Sequence, residues 1–211
     1  MTRGLLASLA LALIACAEAP TPGPIDGLIG QPGVVTLVNL HPGAGENSLS
    51  VSNFQQIGLI PVCSRVTLLE LRSRRLEPGF QPRSFPSLQP RSSPSRTPTR
   101  LRFRDETTGR IYEYADRADT GESFQAHLTR YFGEECPRAL QSLGEIDRRG
   151  VAAGEAFAGM SKQGVIFALG YPPLKETPSL DSKRWIYFRS RYDREAVQFD
   201  ETGHVTLVDE D

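Results

Sequence analysis

GMSKQGVIFALGYPP (159–173), then KRWIYF (183–188) and EAVQFDETGHVTLVD (195–209), is the stretch whose reading decides the fold. Ser161 is placed to N-cap a helix whose buried side is Val165, Ala168 and Leu169. Gly170 takes the position after the last turn, where a left-handed residue closes a helix, and Pro172-Pro173 blocks extension. Gly164 in the first turn makes the helix short and weak, because glycine surrenders more backbone freedom than alanine. Three strands are expected next, at Trp185 to Phe188, Ala196 to Asp200 and His204 to Val208. The Asp200-Glu201-Thr202-Gly203 turn suits a tight hairpin with glycine at positive φ, so the sheet reads as an antiparallel meander. Trp185 and Tyr187 share one face and Ile186 and Phe188 the other, and one of the two faces must cover the helix.

This order of helix, Gly-Tyr-Pro, Trp-x-Tyr strand, Phe-Asp-x-x-Gly turn and final strand resembles the SmpA/OmlA (BamE-like) family of small outer-membrane lipoproteins. One member of that family is an accessory of the β-barrel assembly machinery. The resemblance covers 151–211 and rests on Gly159, Met160, Ser161, Val165, Leu169, Gly170, Tyr171, Pro172, Trp185, Tyr187, Phe199 and Gly203. These stand at cap, core, turn and hairpin positions, so what the resemblance implies is a structural role for each and a non-catalytic scaffold or assembly factor. The chain departs from the assembly accessory in carrying a β-rich domain first and only a short turn at 189–194. Partner contacts of that accessory therefore do not transfer. Arg189 and Arg191 in the turn read as exposed charges able to steer an envelope protein partner.

Upstream, short β-rich runs recur: VVTLVNL (34–40), a Gly-rich turn at 41–45, SLSVSNF (48–54) and GLIPVCSRVTLLEL (58–71). LRFRDETTGRIYEYAD (101–116) reads as a hairpin turning at Thr107-Thr108-Gly109. Gly121-Glu122-Ser123 then opens a helix with Phe124, Leu128 and Tyr131 on one stripe, ended by Gly133. Residues 58–116 resemble a bacterial SH3-like module through the G-x-x-I-P entry Gly58-Leu59-Ile60-Pro61, with Cys63 where a small turn residue is expected. The whole is read as α+β. A small SH3-like β domain (34–136) leads through a linker (137–150) to a SmpA/OmlA-like helix plus three-stranded antiparallel meander (151–211).

The N-terminus carries an address. Met1-Thr2-Arg3 precedes an apolar run from Leu5 to Ala15 that is too short to span a bilayer and reads as a signal peptide over 1–15. Leu13-Ile14-Ala15-Cys16 resembles the bacterial lipobox, which implies that Cys16 carries lipid and anchors a periplasm-facing protein in the outer membrane. Ordinary cleavage near Ala17-Glu18-Ala19 is the competing reading. Residues 16–33, with four Pro and four Gly, read as a flexible tether. Cys63 and Cys136 then remain in an oxidising compartment, either bridged or as two buried free thiols.

Charge and motif content narrow the function further. Lys+Arg number 24 against 25 Asp+Glu, which excludes a uniformly basic nucleic-acid binder. The balance hides an asymmetry. Segment 72–100 repeats QPRSFPS as QPRSSPS, has a proline every fourth residue from Pro78 to Pro98 and holds seven Arg against one Glu, whereas 193–211 holds seven acids against one Arg. That insert reads either as a contact for anionic polymer or lipid, or as an expanded loop in a chain with 21 Arg and three Lys. No nucleophile elbow, phosphate loop or Cys/His cluster at metal spacing is present, so no catalytic residue, metal or cofactor is assigned. Asp116, Asp119 and Glu122 read as solvated turn acids, and His127 as a structural histidine beside the helix stripe. A Cys63 and His127 hydrolase pair is the catalytic alternative. A periplasmic module binding cell-wall polymer or an inhibitor-like protein target is the alternative of a different class.

Overall fold

The computed structural model describes residues 25–43, 47–50, 58–73, 99–115, 122–190 and 192–210. Cys16 with the signal segment, most of the insert 72–100, Asp116, Asp119 and Arg191 lie outside the described residues. The protein is mixed α+β, with one sheet of six strands and one of three.

The larger sheet comprises β1 (Val34–Thr36), β2 (Ser48–Ser50), β3 (Arg65–Ser73), β4 (Thr99–Asp105), β5 (Ile111–Ala115) and β6 (Phe132–Gly133). Its order is β2-β5-β4-β3-β1-β6, with β2 parallel to β5 and the other neighbours antiparallel. Alternation sends Val66, Leu68, Leu101, Phe103, Tyr112 and Tyr114 into the core. On the opposite face Glu70 pairs with Arg72 and Arg102, and Glu113 with Arg100. Helix α1 (Phe124–Thr129) packs by Phe124 and Leu128, with Tyr131 buried just beyond its end, and Ser123 Oγ caps it by accepting the Ala126 N–H at 3.1 Å.

Three expectations need correction. The run 34–40 does not stay in the sheet, because after Thr36 the chain crosses to the C-terminal region and only Leu40 regains a bridge, to Ile60. The tether is shorter than expected: Ile25–Leu28 forms a 3-10 helix with Ile25 fully buried, and the Gly30 N–H donates to the Leu68 carbonyl at 2.8 Å. Core burial of one isoleucine thus brings the edge of the fold back to residue 25. The expected linker 137–150 is helical, with a 3-10 turn at Arg138–Ser142 and then α2 (Glu145–Ala153). Helix α2 escapes a periodicity search because it docks by small and polar residues, burying Asp147 and Gly150, while its large apolar Ile146 is exposed.

Helix α3 (Lys162–Leu169), β7 (Arg184–Phe188), β8 (Arg194–Phe199) and β9 (Val205–Glu210) complete the chain, the strands forming an antiparallel sheet in the order β7-β8-β9. The Trp185 and Tyr187 face is the one that covers α3. Trp185 packs tilted against Phe199, ring centroids 4.6 Å apart, under Lys162, and the Tyr187 hydroxyl donates to the Gly170 carbonyl at 3.1 Å. One apolar core runs through both regions, from Ile25 to Val205.

Of the two readings of the cysteines, the structure has the bridge: Cys63 and Cys136 form a disulfide with their Cα atoms 5.2 Å apart. Cys63 stands in the left-handed region at φ 66°, a conformation uncommon for a residue other than glycine.

Candidate functional site

The residues that carry the family resemblance surround α3, and each is used inside the fold. Ser161 caps the helix, its Oγ accepting the Gly164 N–H at 3.0 Å. Ser161 in turn donates its N–H and its hydroxyl to the Asp147 carboxylate at 2.7 and 2.9 Å. Asp147 lies so close that a Cβ on Gly164 would stand 2.9 Å from the Asp147 Cβ. The glycine that weakens α3 by propensity is therefore what lets α2 approach it. Met160 is fully buried against Gly150, and residues 159–161 extend the meander along β9 through the Gly159 N–H to the Val205 carbonyl at 2.7 Å and the Val205 N–H to the Met160 carbonyl at 2.8 Å. Val165, Leu169, Pro172, Trp185, Tyr187 and Phe199 are buried and Tyr171 half-buried, while Gly159, Gly170 and Gly203 close their turns at φ 87°, 78° and 82°.

The other end of α3 is satisfied from 129 residues away in sequence. A helix leaves its last carbonyls without intrahelical partners. Here Asn39, 1% exposed, supplies them: its backbone N–H donates to the Phe167 carbonyl at 2.9 Å and its Nδ2 to Ala168 at 3.2 Å and to Val151, on α2, at 2.7 Å. Its Oδ1 accepts the Val62 N–H at 2.8 Å, and His41 Nε2 donates to the Ala168 carbonyl at 2.9 Å. The sequence reading missed Asn39, Asp147 and His41. A polar residue inside the apolar run 34–40 was the one signal for Asn39; nothing local marks the others.

Beside this seam lies a cleft of about 480 Å³ lined by His41, Gly58 and Leu59, by Ala153 to Ala156 at the end of α2, by Leu169 at the end of α3, and by Arg189, Glu195 and Val208 of the meander. Arg189 is exposed, as expected of the turn, but it is paired. Its Nε and Nη2 both reach Glu195 Oε2, at 2.9 and 2.6 Å, and Glu195 is only 5% exposed. A buried carboxylate without a counter-charge is costly, which accounts for Arg189 lying over Glu195.

The second polar cluster belongs to α1. His127 is 2% exposed, stacks at 4.2 Å on Tyr131, and sits between Glu122 Oε1 at 3.0 Å from Nδ1 and the Tyr114 hydroxyl at 2.7 Å from Nε2. Burial pulls the imidazole below its ordinary value against the opposing pull of Glu122, so the neutral ring donates from Nδ1 and accepts the Tyr114 O–H at Nε2. Burial pushes Glu122 up, but the His127 hydrogen bond and the Arg130 charge outweigh it and hold the carboxyl below the usual range. Glu122 is thus a partnered acid rather than a solvated one. Cys63, spent on its disulfide, offers no thiol to His127. Among the described residues no group of three His, Cys, Asp or Glu is arranged to hold a metal ion.

No protein-family model, curated protein or solved structure matches the chain.

Proposed function

We propose that this chain is a non-catalytic outer-membrane lipoprotein acting as a scaffold or assembly factor in the bacterial cell envelope, anchored through Cys16 and built from an SH3-like β domain and a SmpA/OmlA-like domain. The observation that carries the reading is the arrangement around α3: a serine-capped helix lies under the Trp185 and Tyr187 face of an antiparallel meander, with Gly159, Gly170 and Gly203 at its turns. The lipobox-like LIAC at the end of the apolar run supports the anchor. Because the family-like residues are consumed by packing, partner contact falls to exposed side chains such as Tyr192, 89% exposed between β7 and β8, and Leu207, 47% exposed on β9.

Two measurements test it. Wild type should incorporate labelled palmitate and partition with detergent, and Cys16→Ser should do neither; a wild type that takes up no palmitate ends the anchor. A photo-crosslinker at position 192 should capture an integral outer-membrane protein, with capture lost in Cys16→Ser. The cleft favours a second reading, a periplasmic binding module. Co-sedimentation with peptidoglycan and no membrane-protein crosslink would decide for it.

A further inference from the structure

We infer that the cleft at the seam binds a cationic group carried on an aliphatic stem: an alkylammonium, presented either by a free diamine or by a lysine side chain of a peptide. The inference stands apart from the anchor and scaffold reading, since it rests on the cleft alone.

The shape suits an aliphatic stem. Leu59, Leu169 and Val208 form apolar wall, and a volume of about 480 Å³ lies within the size of small-ligand clefts. The field selects the charge. Helices α2 and α3 both end at this cleft, and the carbonyl end of a helix carries partial negative charge. Neither helix has a basic residue in its last turn to offset it. Asn39 satisfies the hydrogen bonds of these carbonyls but brings no charge.

The side chains add to the same sign. Glu195 faces the cleft. Arg189 spends two guanidinium nitrogens on Glu195. Glu155, directly after the end of α2, is exposed and has no ion-pair partner among the described residues. An ammonium group would sit between the Glu155 carboxylate and the helix ends, with its stem against the leucines and valine.

The test is a methyl NMR titration of the whole chain. Cadaverine and Nα-acetyl-lysine methylamide are the cationic probes, with hexanoate and 1-pentanol as anionic and neutral probes of similar length. The expected result is saturable shifts at the Leu59, Leu169 and Val208 methyls with a cationic probe, at least tenfold tighter than with either other probe. The tighter of the two cations identifies the source, free diamine or peptide lysine. Glu155→Gln, a surface change, should weaken cation binding at least tenfold with the melting temperature unchanged, while Glu201→Gln, outside the cleft, should leave it alone. Hexanoate or pentanol binding as tightly as the amines, shifts elsewhere, no shift with any probe, or full affinity in Glu155→Gln would each overturn the proposal.

Discussion

Helices α1 and α3 look alike in sequence and are held in different ways. Each begins with a serine whose Oγ accepts an N–H of the first turn, and each buries its apolar side on a sheet. The polar groups buried with α1 are largely local, Glu122 and Arg130 flanking the helix that carries His127. Those of α3 are remote. Asp147 holds the N-terminus from another helix, and Asn39 holds the C-terminus from the segment that follows β1. A helix with local partners can be read from its own segment, whereas one with remote partners depends on contacts that exist only after the chain has folded back.

The largest expected effect bears on the α1 side. Cys63→Ser or Cys136→Ser opens a loop spanning a sequence separation of 73, which in the chain-entropy model costs about 4.5 kcal/mol. Urea unfolding under oxidising conditions measures it, and equal midpoints for wild type and variant would mean the bridge does not constrain this region.

Asn39→Ala comes next, at about 2 kcal/mol, because it removes the Asn39 side-chain hydrogen bonds to the Val151 and Ala168 carbonyls, which keep Gly154 and His41 as donors, and takes the side-chain acceptor from the Val62 N–H. Amide exchange should accelerate at the end of α3 and leave α1 protected. Uniform acceleration would show that the two helices share one cooperative unit after all.

Arg189→Glu should cost about 2 kcal/mol by setting a second carboxylate against the buried Glu195, with the partial exposure of Arg189 softening the loss. An unchanged melting temperature would return Arg189 to the role of a freely exposed charge.

The glycine at the start of α3 gives a test of sign. In an exposed helix Gly→Ala stabilises by up to about 1 kcal/mol; Gly164→Ala should instead destabilise by about 1 to 2 kcal/mol, since its Cβ has to displace Asp147. For the caps, Ser123→Ala should cost about 1 kcal/mol. Ser161→Ala should cost more, because it also removes a donor from Asp147.

The smallest effect is pH dependence on the α1 side. The folded imidazole of His127 lies below its ordinary 6.5, so above that value the shift has no consequence, and below it the unfolded chain takes up the proton more readily. Glu122, held below its ordinary 4.5, contributes stability above that value that is lost as pH falls through its folded value. Both act in the same direction. Melting temperature should fall on acidification from 6.5, and His127→Gln should flatten the first part of that fall.

The sequence by itself determined the strands of the meander and of the 101–115 hairpin, the two serine caps and the turn glycines, because each rests on interactions within a few residues; the helix expected to run on to Gly133 ends instead at Thr129, and Phe132–Gly133 joins the sheet as β6. Trp185 and Tyr187 could be placed together on one face by alternation, while which face met the helix awaited the fold. Tertiary structure alone decided that 137–150 is part of a helix pair, that Ile25 belongs to the core, that Cys63 meets Cys136, and that Asn39 and Asp147 hold the two ends of α3. Those outcomes depend on partners brought together from different elements, as far apart as 129 residues for Asn39 and Ala168, or on small residues permitting close approach. Neither leaves a periodic trace in the chain. The cleft belongs to the same class: its walls come from seven separate stretches of the chain, and part of its field comes from where two helices happen to end.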